Sequence, residues 1–268
     1  MRWIKEGYSQ RQIALQGRFS QTKIKRIKTY WLSKKPPSIK VSYNSKNVVF
    51  DGTYFSHNYC LLIFWNPNNH EIIDTHFCLK ESYVICSPWF ASLKQKGLSP
   101  KSVTMDGNTQ VMRAIKEVWP DCVIQRCLYH IQRQGLVWLR RYPKLILARE
   151  LKHILTLLPN VRMHIQKRQW WDKYYQWRIQ FHEQISMLNS HDKVESDIIR
   201  AYKMISNAAN DMFHFLNDKN IPATSNGAES YFSWLKDRYR KHRGLRKTHL
   251  ENYLLWYVYL NKKNSNTF

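Results

Sequence analysis

Two aspartates share one local setting. Asp51 ends the run KNVVF and is followed by Gly52 and Thr53; Asp106 ends SVTM and is followed by Gly107 and Asn108. An acid at the end of an apolar strand is costly to bury without a partner, and a metal is an adequate partner. A small residue next in the chain leaves room for a substrate backbone. Carboxylate oxygens are hard ligands suited to Mg²⁺ or Mn²⁺, which keep waters and take phosphate oxygens. Two such ions about 4 Å apart activate a nucleophile and stabilise a leaving oxygen in phosphodiester transfer. Taken alone, each Asp-Gly is as easily a strand-to-turn pair. A third acid, Glu229 in ATSNGAES, falls in the first turn of an expected helix, where the helix dipole also favours it. Glu117, Asp121, Glu150 and Glu251 are rival acids without so specific a setting.

Cys127 and His130 have the spacing of half a zinc site, but no second pair matches them. The competing reading packs both near the acids, with His130 touching DNA or a carboxylate. The five cysteines, at 60, 78, 86, 122 and 127, are odd in number and irregularly spaced, which reads as free thiols.

The elements that must position these residues follow from periodicity. Ser9 is placed to cap a short helix carrying Ile13, Ala14 and Leu15, broken by Gly17. Ser20 caps a second, with Ile24, Ile27, Trp31 and Leu32 at helical spacing and Lys23, Lys25, Arg26 and Lys28 between them. Such a pair is the helix-turn-helix pattern, whose basic second helix meets DNA. A solvated basic helix is the bland alternative. The supporting first helix reads as short or missing, so the module reads as truncated at its N-terminus. KKPPS at 34–38 is a linker.

Strands are expected at KNVVFDGTYF, 60–65, 71–79, 102–105 and around 122–125, with helices at 82–96 and 110–118. That alternation predicts a mixed α/β sheet. From 128 to 218 no strand pattern occurs. Trp170, Trp171, Tyr174, Tyr175, Trp177 and Phe181 recur there at helical spacing, as core or with Trp170 or Trp171 wedging a displaced base. A basic helix opens near Ala228. After Glu229 come Lys236, Arg238, Arg240, Lys241, His242, Arg243, Arg246 and Lys247, interleaved with Tyr231, Phe232 and Trp234. Phosphate contact plus aromatic stacking on unpaired bases is the chemistry this mixture offers; core aromatics beneath a solvated face is the alternative.

Composition narrows the partner. The chain of 268 residues carries 43 Lys and Arg against 19 Asp and Glu, a formal charge of +24 and a pI near 9.9. That excess attracts polyanions, and nucleic acid is the expected partner. No apolar run reaches the ~20 residues of a membrane span and no secretory h-region opens the chain, so no membrane partner and a cytoplasmic, nucleoid-associated location are expected.

In order, DGTYF, TMDGN, RCLYH and, after a long gap, SNGAESYFSWLKDRYRKHRGL resemble the Mutator-like bacterial insertion-sequence transposases over roughly residues 9–260. The resemblance implies an Asp-Asp-Glu enzyme with a ribonuclease-H-like mixed sheet, a helical insertion between the second and third acids, and an N-terminal helix-turn-helix. It implies Asp51, Asp106 and Glu229 as catalytic acids holding two Mg²⁺ or Mn²⁺ ions. The family's Cys-x-x-His signature falls on Cys127 and His130. The expected layout is 1–36 for DNA binding, 37–143 for the first part of the core, 144–221 for the insertion and 222–268 for the helices carrying Glu229. Cleavage of transposon ends, joining of the 3′-hydroxyl to target DNA and a homodimer or larger assembly on DNA are implied. A catalytically silent DNA-binding descendant is the alternative.

Overall fold

A computed structural model of the protein describes residues 1–37, 42–242 and 244–265. Five strands, β1 (Asn47–Tyr54), β2 (Cys60–Asn66), β3 (Glu71–Cys78), β4 (Ser102–Met105) and β5 (Val123–Arg126), form one sheet in the order β3-β2-β1-β4-β5. β2 and β3 are antiparallel, whereas β4 lies parallel to both β1 and β5. The fold is therefore mixed α/β. The chain divides into two compact units, one of residues 1–45, 50–99 and 227–268, the other of 46–49 and 100–226.

In the first unit, the helices α1 (Arg2–Lys5), α2 (Gln10–Gly17) and α3 (Gln21–Leu32) precede the strands. Ser9 closes a reciprocal capping box with Gln12, and Ser20 Oγ accepts from Lys23 N at 3.2 Å, so both anticipated caps form. Gly17 remains helical, and the left-handed residue that ends α2 is Arg18 at φ 52°. Ile24 and Leu32 are buried as expected, whereas Ile27 and Trp31 stay substantially exposed. α3 is anchored to α12 (Lys247–Ser265): Asn252 Nδ2 donates to Leu32 O at 2.8 Å and Trp256 Nε1 to Lys34 O at 2.9 Å. β2 is buried from Cys60 to Trp65, which explains its uninterrupted apolar sequence. Phe50 and Phe64 pack edge-on to one another and to Phe90 of α4 (Tyr83–Gln95).

In the second unit, α5 (Thr109–Val118) connects β4 to β5, burying Val111, Ala114, Ile115 and Val118 on one face. The strand-free stretch is helical: α6 (Leu128–Leu139), α7 (Ile146–Leu157), α8 (His164–Gln180), α9 (His182–Ser186) and α10 (Lys193–Ala208). Its core is built on aromatic residues, although Tyr175 is exposed. Trp170, Tyr174, Trp177 and Phe181 are buried, with Trp170 Nε1 donating to Ile154 O and Trp177 Nε1 to Leu147 O, both at 2.9 Å. An indole tied down in this way cannot wedge a DNA base, which removes that reading for Trp170. Among the described residues no helix is long and apolar enough to cross a membrane.

Candidate catalytic site

β1 and β4 pair in parallel through Asn47↔Ser102, Val48↔Val103 and Val49↔Thr104. Asp51 follows Val49 by two residues and Asp106 follows Thr104 by two, so each acid stands the same distance beyond the last of these pairs. The structure corrects one local expectation. Asp51 does not end its strand; β1 continues to Tyr54, carried by the strand-favouring Thr53 and Tyr54. Asp106 does stand just past the end of β4.

The glycine after each aspartate makes room for a neighbouring side chain. A Cβ on Gly52 would meet Leu62 Cδ2 at 2.7 Å, and one on Gly107 would meet Arg126 Nη2. Arg126 opens the RCLYH motif, but the motif alone does not place it against Gly107. It reaches Gly107 because β5 pairs Arg126 with Met105. Its guanidinium is buried, and its Nε has no hydrogen-bond partner among the described residues. Burial pulls its pKa below the ordinary value, opposed by the charges of Asp106 and Asp211. Asp106 and Asp211 together therefore offset the cost of burying this cation.

Each aspartate is oriented by its own backbone. Asp51 Oδ1 accepts from Gly52 N at 2.8 Å, and Asp106 Oδ1 accepts from Asn108 N at 3.0 Å. Asn108 Oδ1 in turn caps α5 by accepting from Gln110 N at 3.1 Å.

Glu229 lies in the first turn of α11 (Asn226–Arg240), whose buried stripe is Ala228, Phe232, Leu235 and Tyr239. Lys236 stands two turns beyond Glu229 on the same face. Burial lowers the Lys236 pKa, and the negative charge of Asp51 acts against that fall. One helix face thus carries Glu229 and presents a cation to the field of Asp51.

Cys127 and His130, at the start of α6, engage Ser225. Ser225 donates its backbone N–H and its hydroxyl to Cys127 Sγ, each at 3.3 Å, and its Oγ lies 3.3 Å from His130 Nδ1. Burial raises the Cys127 pKa, but the hydrogen bond and charge of His130, together with Ser225, outweigh it and leave the thiol below its ordinary value. The return segment is stitched down further by Thr104 Oγ1 donating to Pro222 O at 2.7 Å and Leu128 N to Ala223 O at 3.0 Å. These contacts fix the chain one helical turn ahead of Glu229. Ser225 escapes sequence reasoning because its partner lies 98 residues away.

Residues 66–212 match the model of the Mutator family of transposases, more than half of the chain. The chain is a member of that family. The match takes in Asp106, Cys127 and His130, while Asp51 and Glu229 lie outside it. No curated protein matches this transposase.

The anticipated DNA-binding cations divide by environment. Lys23, Lys25, Arg26, Arg240 and Lys241 are exposed. Lys28, Lys236 and Arg238 are half-buried, and burial lowers the Lys28 pKa. Arg243 lies outside the described residues. His242 is no surface cation: α11 ends at Arg240, and the following turn buries the imidazole, with Nε2 3.1 Å from Ile4 O. Burial, reinforced by Lys28, lowers its pKa to about 4. Among the rival acids, Glu251 is engaged by Lys35 at 3.2 Å. All five cysteines are buried and free, as expected from their spacing.

Proposed function

We propose that this transposase cleaves DNA at the ends of its element and joins the freed 3′-hydroxyl to target DNA, with Asp51, Asp106 and Glu229 as the catalytic acids of a ribonuclease-H-like core. The observation that carries the reading is the equal offset of Asp51 and Asp106 beyond the paired residues Val49 and Thr104 of parallel strands. The face of α11 that carries Glu229 also places Lys236 in the field of Asp51, which supports Glu229 as the third acid.

The donor chemistry fits Mg²⁺ or Mn²⁺, since all three acids offer hard carboxylate oxygens and two are oriented by backbone N–H groups. Two such ions, when bound, supply activation of the attacking oxygen and stabilisation of the leaving one. The chain's own residues do the rest. Arg126 offsets the negative charge of Asp106, as Lys236 does that of Asp51. Cys127 and His130 hold Ser225 and so steady the entry to α11.

Duplex DNA is bound in this reading by Lys23, Lys25 and Arg26 of α3, used as the second helix of a helix-turn-helix, and by Arg240, Lys241 and Arg243 beyond Glu229. The assembly on paired ends is a homodimer or larger.

The test uses the coding sequence with its native flanking DNA as substrate and follows strand cleavage with and without divalent metal. Cleavage to 3′-hydroxyl ends in Mg²⁺ or Mn²⁺, stopped by EDTA, is the expected result. DNA binding without cleavage under any divalent metal would favour the silent, DNA-binding descendant instead.

A further inference from the structure

A cleft of about 480 Å³ opens beside the solvent face of α11, its lining including Lys5, Glu6, Trp234, Arg238, Tyr257 and Asn261. Its volume is that of a small-molecule site. Among the aromatic residues that interleave with cations here, Phe232 is core, whereas Trp234 is 61% exposed. Its indole is the aromatic surface of α11 most available to a ligand.

The surroundings of Trp234 are built rather than incidental. Arg238, one turn further on, holds its guanidinium 5.4 Å from the Trp234 ring, a cation–π contact that steadies both planes. The arginine stem runs against Gly7, where a Cβ would come within 2.7 Å of Arg238 Cδ; Gly7 also has φ +82°, a conformation that side chains rarely adopt. Asp237 takes one Arg238 N–H at 3.0 Å, leaving other donors of the fork for an anion. Both cations have a carboxylate partner, but the Lys5 side chain is 11% exposed against 31% for the five-donor fork of Arg238, so a ligand phosphate is expected against Arg238. The Tyr257 hydroxyl and the Asn261 side chain, both in the lining, are hydrogen-bonded to one another.

An exposed indole and a flanking guanidinium in one cleft match a planar heteroaromatic ring joined to a phosphate. We infer that this cleft takes a single unpaired nucleotide, its base stacked on Trp234 and its phosphate against Arg238. The inference rests on the DNA-processing reading and deepens it: the cleft would hold a nucleotide freed from the duplex when an end is opened. Stacking of this kind is tolerant of sequence because every base has a π-face.

The full chain is titrated against a single-stranded octanucleotide carrying 2-aminopurine, the matching duplex, and AMP. The expected result is quenching of 2-aminopurine on binding and a roughly tenfold loss of single-strand affinity in Trp234→Ala. Trp234→Phe recovers most of that loss, and duplex affinity stays within about twofold throughout. Binding of AMP as tight as that of the octanucleotide, and equally sensitive to Trp234→Ala, overturns the strand-derived nucleotide and assigns the cleft to a free one. Unchanged single-strand binding and quenching in Trp234→Ala, or an equal loss for duplex and single strand, overturns the inference. Failure of the wild-type chain to bind duplex at all counts against the transposase reading itself; duplex binding with a silent cleft sinks only the cleft.

Discussion

Arg126 Nη2 occupies the space that a Cβ on Gly107 would need, so the residue after Asp106 is glycine to admit a buried guanidinium. Gly107→Ala forces that guanidinium aside and is expected to cost about 1–3 kcal/mol, as overpacking does. Arg126→Ala leaves Asp106 and Asp211 without their cation but removes the clash. The double variant should therefore be less destabilised than the two single losses combined. Urea unfolding of the three variants decides this, and strict additivity would mean that the contact is not the reason for the glycine.

Cys127→Ala removes the acceptor of two hydrogen bonds from Ser225, one turn before Glu229. An expected loss of about 1–2 kcal/mol in stability accompanies slower strand cleavage. Cys127→Ser, which keeps an acceptor, should recover part of both. Were Cys127→Ala as stable and active as the wild type, the positioning role argued for this pair would be wrong.

His242 makes stability depend on pH. Burial, with Lys28 reinforcing it and the hydrogen bond to Ile4 O opposing, lowers the ring from 6.5 to about 4. The unfolded chain takes up this proton as pH falls through about 6.5, whereas the folded chain does so only near 4. The contribution is therefore full above the unfolded value and is lost between the two, on the order of 3 kcal/mol. His242→Gln should flatten that part of the unfolding free energy measured from pH 7 to pH 4.5. A slope unchanged by the substitution would place the titration elsewhere.

Neighbouring positions of α8 should respond very differently to truncation. Trp177 is buried and hydrogen-bonded to Leu147 O, so Trp177→Ala is expected to cost about 3–5 kcal/mol. Tyr175 is 50% exposed, and Tyr175→Ala should stay within about 1 kcal/mol. Thermal denaturation of the two variants checks the difference; equal losses would contradict it.

Much of the fold is legible in local pattern. The apolar run SVTM announces β4, the Ser9 and Ser20 caps announce α2 and α3, and the absence of strand patterns after residue 128 announces the helices. The short α1 escapes because four residues give periodicity nothing to repeat. The place of Asp51 inside β1 is hidden because Asp-Gly suggests a turn, although the strand continues through it. Also hidden are contacts set by register and tertiary closure. Arg126 lies over Gly107 through the β4–β5 pairing, Ser225 meets Cys127 across 98 residues, and the turn after α11 buries His242.

The most direct measurement is the initial rate of metal-dependent end cleavage for Asp51→Asn, Asp106→Asn and Glu229→Gln, each with its DNA affinity and folding checked in parallel. Every one of the three is expected to lose roughly a thousandfold or more in rate while still folding and binding DNA. A variant that folds, binds and cleaves within about tenfold of the wild type would contradict the assignment of its acid to the catalytic set.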